Sequence, residues 1–199
     1  MDNKIMKFFA IYTNVDITEK PDWLDSFRNK YDLEYHPDTN TFDVPYEAHI
    51  TLTQPRFITD SKANKLKADL TKFFSKFNKK IELEFSRLHL DRQDDTKNGC
   101  IMVDTKNKDE LSKLQIEMLD FIKENNNLCN MEHKIYEDDF TPHLTIGRDL
   151  SKDRFDEAIT ELPNEIIIKS TISEVILAVV PNESAAERTN PKNLTIYRM

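Results

Sequence analysis

The sequence predicts an α+β fold built from largely antiparallel sheets, folded naturally into two lobes that face a cleft. Three observations lead there. Short runs alternate between apolar and polar residues, as in Ile81, Leu83 and Phe85 against Glu82, Glu84 and Ser86, which is the period of half-buried strands. Two longer stretches carry their apolar residues at helical spacing. The order strand, motif strand, long helix and further strands also runs through the chain twice, a weak internal duplication.

Taken in order, 7–15 alternates and is rich in Phe, Ile and Tyr, so it reads as a first strand rather than a signal peptide. A helix follows over 21–31, with Pro21 at its start and Asp22 and Asp25 near its positive end. Residues 34–47, with Pro37 and Pro45 among polar neighbours, read as an exposed loop. The run His49-Ile-Thr-Leu-Thr53 alternates, so as a strand it places His49, Thr51 and Thr53 on one face.

Leu66, Leu70, Phe73, Phe74 and Phe77 predict a core-facing helix within 60–79, and 80–90 and 100–103 read as strands joined by a polar turn ending in Asn98-Gly99. A second long helix is expected over 107–125 from Leu111, Leu114, Met118, Leu119 and Ile122. Then Phe140-Thr-Pro-His-Leu-Thr-Ile-Gly147 repeats the motif alternation, followed by a short helix over 152–161. The Ile/Val-rich 165–180 reads as one or two strands, 181–191 as a mobile loop and 192–198 as a last strand.

At 199 residues the chain suits one domain, 1–199, with a core large enough to need no staples. The longest apolar run, Val175 to Val180, falls far short of the ~20 residues that cross a bilayer, so no membrane partner is expected. Cys100 and Cys129 make no disulfide framework and lack zinc-site spacing, which fits a cytoplasmic setting. A formal charge of -8 argues against long duplex DNA as a partner. With glycine only at Gly99 and Gly147, glycine-rich phosphate loops are excluded.

What remains is a chemistry of side chains. Two histidines flanking a phosphodiester can take one proton and give another in a single displacement, without a metal or other cofactor. Each threonine two residues on shares its histidine's face and can donate to a phosphate oxygen, which makes Thr51 and Thr145 the main phosphate ligands and Thr53 a lesser one. Tyr46, Phe57 and Phe140 are candidates to stack on a base, although core packing explains each equally well. Arg148 and Arg56 are candidate phosphate partners; strict alternation turns Arg148 away from His143 unless a bulge intervenes. His36, His89 and His133 have no matching partner and read as surface or loop residues.

The pair His49-Ile-Thr-Leu-Thr and Thr141-Pro-His-Leu-Thr-Ile-Gly-Arg148 resembles the motifs of the two-histidine phosphoesterase superfamily, which includes the bacterial 2'-5' RNA ligase-like proteins. The resemblance implies a bilobal, pseudo-twofold fold, an N-terminal and a C-terminal lobe each supplying one motif. It also implies catalytic roles for His49 and His143 and phosphate binding by Thr51 and Thr145. Members open 2',3'-cyclic phosphates, cleave 2'-5' linkages, trim RNA ends or destroy cyclic nucleotide signals. Thr-Gln-Pro-Arg-Phe57 after the first motif departs from the aromatic-Leu-Gly run more usual there, and so does the acidity.

The expected function is therefore cleavage of a nucleotide phosphodiester involving the 2' position, in a nucleotide, short oligonucleotide or RNA end, by a monomer. The alternatives are hydrolysis of a cyclic oligonucleotide second messenger and noncatalytic capture of a nucleotide phosphate. Which histidine starts as base depends on burial and neighbours.

Overall fold

A computed structural model describes residues 6–36, 41–45, 47–92, 97–125, 127–182 and 184–199. Two antiparallel sheets carry the fold. The first has the strand order β11 (Leu194–Arg198), β10 (Glu174–Val180), β1 (Met6–Asn14), β5 (His49–Thr59). The second runs β2 (Asp16–Glu19), β9 (Ile168–Ile172), β6 (Ile81–Asp91), β7 (Gly99–Thr105), β8 (His143–Leu150). Both motif strands, β5 and β8, are thus edge strands, and the two edges approach each other.

The helices cover the outer faces. In α2 (Asp60–Phe74) the residues Ala63, Leu66, Leu70 and Phe74 recur every three or four positions and are buried, which gives the helix one apolar stripe. In α3 (Asp109–Phe121) Leu111, Leu114 and Met118 do the same. Both pack on the first sheet: Phe74 stacks on Tyr197 of β11 at 5.2 Å between ring centroids, and Phe73 meets Phe121 at 5.3 Å. The second sheet is covered by α1 (Trp23–Tyr31) and α5 (Lys152–Glu161), which are tied together where Lys30 meets Glu157 and Glu161.

The duplication is visible in three dimensions. Each motif strand runs directly into a helix, β5 into α2 and β8 into α5. A helix earlier in the chain than each motif packs against the opposite sheet, α1 beside β8 and α3 beside β5. The sheets are not the two halves of the chain, however. The C-terminal strands β10 and β11 cross back to the N-terminal sheet, while β2 leaves it to pair with β9.

Other differences from the sequence reading have local causes. Within 34–47, read as loop, Leu33–His36 (β3) and Thr41–Pro45 (β4) pair as a hairpin; Pro45 ends its strand, where a missing N–H costs nothing. The apolar run 165–180 breaks into β9 and β10 at Ser173. The supposed loop 181–191 holds a short helix, α6 (Ala185–Thr189), whose first turn is capped by Ser184 Oγ accepting from the Glu187 N–H. A short helix α4 (Ile135–Asp138) was not anticipated, being too short for a periodic signal. Among the described residues no helix is long and apolar enough to cross a membrane.

Candidate active site

The two motifs are built alike down to an irregularity that alternation does not predict. In the first sheet Thr51 lies opposite Tyr12 and Thr53 opposite Ile11, so Leu52 is an extra residue, a bulge. In the second, Thr145 lies opposite Met102 and Gly147 opposite Ile101, so Ile146 is extra at the same place after its histidine. Up to the bulge, histidine and threonine share the strand face opposite to the buried Ile50 and Leu144. Past it the phase reverses.

Two expectations change as a result. Thr53 does not share the face of His49: it is fully buried, and its Oγ1 accepts the Ile11 N–H at 2.9 Å, so it holds the bulge together rather than a ligand. Arg148 turns towards the cleft, as a bulge allows, and its Nε donates to Asp32 Oδ1 at 3.2 Å. Asp32 is itself fully buried and also bound by Arg28 at 2.8 Å. The two threonines of the first motif are therefore expected to separate: Thr53→Val strands the Ile11 N–H and costs about 1–3 kcal/mol in denaturant unfolding. The exposed Thr51, replaced by valine, is expected to leave stability in place and lower kcat about 10²-fold.

Each histidine is anchored in the same way. His49 Nδ1 lies 2.8 Å from the Glu47 carbonyl, and His143 Nδ1 lies 2.9 Å from the Thr141 carbonyl, two residues upstream in both cases. A carbonyl only accepts, so Nδ1 carries the proton and Nε2 becomes the atom of each ring that exchanges one.

Their surroundings differ. Burial pushes His49 down to about 4, and the cations Arg148, Arg188 and Arg28 push the same way, against its bond to Glu47. His143 is also lowered by burial, but the Asp104 carboxylate, directly opposite it on β7, pulls it back up, with His89 and Arg148 opposing. Because the native state disfavours protonated His49, the unfolded chain binds the extra proton between the ordinary value near 6.5 and about 4. Stability is thus expected to fall as pH drops through that window; His49→Gln, without the titration, is expected to flatten that part of a melting-temperature profile.

A cavity of about 300 Å³ opens on the His49 side. His49, Thr51, Tyr12, Gln54 and Arg148 line it together with Arg188 and Thr189 of α6, over an apolar floor of Phe8, Ala10, Ala178 and Val180. His143 and Thr145 stand outside that lining, on the sheet face that carries Asp104 and Met102. Tyr12 meets the His49 ring edge-on at 5.8 Å, and burial, with Glu47 beside it, pushes its hydroxyl up to about 12, so it remains a donor.

Of the remaining candidates, Phe57 packs on Phe8 at 5.1 Å and backs the cavity from outside its lining, and Phe140 packs against the core. Tyr46 lies outside the described residues. Arg56 is not a phosphate ligand: it is buried, and its Nη2 bonds Glu137 Oε2 at 2.6 Å. Tyr12, Arg188, Gln54 and Asp104 were missed, because no local spacing marks them; only the sheet register and the fold of α6 bring them to the cleft. Among the described residues no group of three or more His, Cys, Asp or Glu side chains is placed to hold a metal ion.

A family profile for the 2'-5' RNA ligase superfamily matches residues 20–182, which include both histidine motifs. The chain belongs to the 2'-5' RNA ligase superfamily. Membership carries a general class, a two-histidine phosphoesterase. The fold is similar to that of a solved protein, Usb1 of Kluyveromyces marxianus, which superposes with a TM-score of 0.54 at 9% identity, over 96% of this chain and 98% of that one. A second structure of the same protein, with uridine monophosphate, matches with a TM-score of 0.54 at 9% identity over 98% and 99% of the two chains. No curated protein sequence matches. Within the superfamily, then, this chain keeps the paired motifs and sets them in an acidic molecule with a net charge of -8.

Proposed function

We propose that the protein cleaves a nucleotide phosphodiester in which the 2' position takes part, a 2',3'-cyclic phosphate or a 2'-5' linkage, by metal-independent acid–base catalysis between His49 and His143. The observation that carries this reading is the matched pair of imidazoles, each fixed through Nδ1 to a carbonyl two residues upstream and each followed by a cleft-facing threonine. Two proton-exchanging nitrogens and two hydroxyl donors are what in-line displacement at one phosphate calls for.

His49 takes the role of base and His143 that of acid. His49 sits among cations that keep its Nε2 lone pair available, whereas Asp104 stands opposite His143 and favours its protonated form. His49 Nε2 accepts the proton of the attacking water or ribose hydroxyl as the new P–O bond forms. His143 gives its Nε2 proton to the departing ribose oxygen as the old bond breaks. Thr51, Thr145 and Arg148 bear the charge on the phosphate oxygens.

The test is a panel of 2',3'-cyclic nucleotides, 2'-5' and 3'-5' oligoadenylates and cyclic dinucleotides, with product ends identified and EDTA present. Turnover of the 2'-linked members in EDTA is the expected result. Turnover of cyclic dinucleotides alone moves the substrate to a second messenger, and tight binding without product in any arm makes the cleft a binder. The acid–base assignment has its own check. Asp104→Asn removes the charge that raises His143, so the falling, alkaline limb of kcat/KM against pH is expected to move to lower pH while the rising limb stays. Movement of the rising limb instead exchanges the two roles.

A further inference from the structure

The cleft face of the second sheet continues past His143. Across β8, β7 and β6 the register sets His143 opposite Asp104 and Asp104 opposite Arg87, with Thr145 opposite Met102 and Met102 opposite His89. Opposed residues project to the same face, so Arg87 and His89 stand on the same side as His143 and Thr145. They lie two strand spacings away from those residues, about 10 Å.

Asp104 organises them. Its carboxylate is only 2% exposed, while Arg87 is 74% exposed and His89 46%. Arg87 donates to Asp104 Oδ2 from Nε at 3.1 Å and from Nη2 at 2.6 Å, and His89 Nδ1 lies 3.2 Å from Oδ1. A buried acceptor thus fixes one edge of the guanidinium and points the rest, with Nη1, into solvent, where a planar fork suits phosphate. His89, its Nδ1 proton directed at the carboxylate, presents Nε2 outward as an acceptor for a sugar hydroxyl.

We propose that Arg87, with His89 beside it, forms a second phosphate subsite on the leaving-group side of the cleft, so that the substrate is a short oligonucleotide whose departing nucleotide carries a phosphate of its own. The inference rests on the phosphoesterase reading above for its direction: His143 protonates the departing oxygen, and Arg87 lies beyond His143. For the 2'-5' linkage proposed above, the departing nucleoside then spans the sheet face from its 5' oxygen at His143 to its 2'-phosphate at Arg87, with its free 3'-hydroxyl near His89.

Binding separates this subsite from catalysis. Nucleoside 2',5'-bisphosphate mimics the departing nucleotide with a phosphate at each end, and the 5'- and 2'-monophosphates each lack one. By titration calorimetry the wild-type protein is expected to bind the bisphosphate about tenfold more tightly than either monophosphate. Arg87→Gln is expected to abolish that advantage, and Arg87→Lys to keep part of it. In wild type, the salt slope of log K is expected to be steeper by about 1 for the bisphosphate, a measurement that needs no variant to fold. Equal affinities for the three ligands, or an advantage that survives Arg87→Gln in a protein with native circular dichroism, overturns the subsite. If the advantage depends on Arg87 but no phosphodiester in the panel is cleaved, the subsite stands and the phosphoesterase reading falls.

Discussion

Replacing either His49 or His143 by alanine is expected to lower kcat about 10²–10⁴-fold on whichever member of the panel the wild type turns over, the usual worth of a positioned proton carrier. The double variant is expected to lose far less than the product of the two single losses, because the two imidazoles act in one displacement and either alone leaves it incomplete. Substrate affinity is expected to change little, since Thr51, Thr145 and Arg148 remain. Single-turnover rates alongside equilibrium binding of a nucleoside monophosphate make the distinction. Full activity in either variant removes that histidine from the chemistry. The carbonyl anchors predict a further result: asparagine, whose amide can still donate to the Glu47 or Thr141 carbonyl, is expected to keep fold and affinity like the wild type and still lose the rate.

The largest expected effect on stability lies behind the first motif. Arg56 and Glu137 form an ion pair with both side chains almost wholly buried, 3% and 7% exposed. Glu137 Oε1 also accepts the Gln54 N–H at 2.7 Å, so the carboxylate ties α4 to the motif strand at the residue following Thr53. Arg56→Met leaves Glu137 buried without its counter-charge, and a loss of about 3–5 kcal/mol in urea unfolding is expected. Arg56→Met with Glu137→Leu is expected to recover part of it, since an apolar pair avoids the desolvation of two ions although the Gln54 N–H loses its acceptor. A double variant no more stable than the single one refutes this account.

Much of the fold was legible because its signals are local. The apolar stripes of α2, α3 and α5 follow from spacing alone, and so do the motif strands, where Ile50 and Leu144 alternate with polar neighbours. What escaped was whatever depends on a partner strand. Strict alternation put Thr53 beside Thr51, yet a one-residue bulge at Leu52 sent it into the core, and the matching bulge at Ile146 brought Arg148 towards the cleft. Tyr12 and Asp104 belong to the site only through pairing across the sheets, and Arg188 only because α6 folds back over the cavity. His89 looked like an isolated surface histidine in one dimension; the register joins it to Asp104. A pattern of one strand reports which residues alternate, whereas the site is assembled from which strands are neighbours.

The return of β10 and β11 to the N-terminal sheet means that neither lobe is a self-contained piece of chain. β10 hydrogen-bonds to β1 along Phe8 to Tyr12 and so supplies one whole flank of the strand that supports His49, from a point more than a hundred residues later. Chain emerging from a ribosome therefore presents the first motif on an incomplete sheet until β10 has been made. A polypeptide cut between α3 and β8 would yield two fragments with ragged, sticky edges, each unfolded alone and each completing the other when mixed. Complementation of two such inactive fragments would read out, in a test tube, how completely the lobes are sewn together.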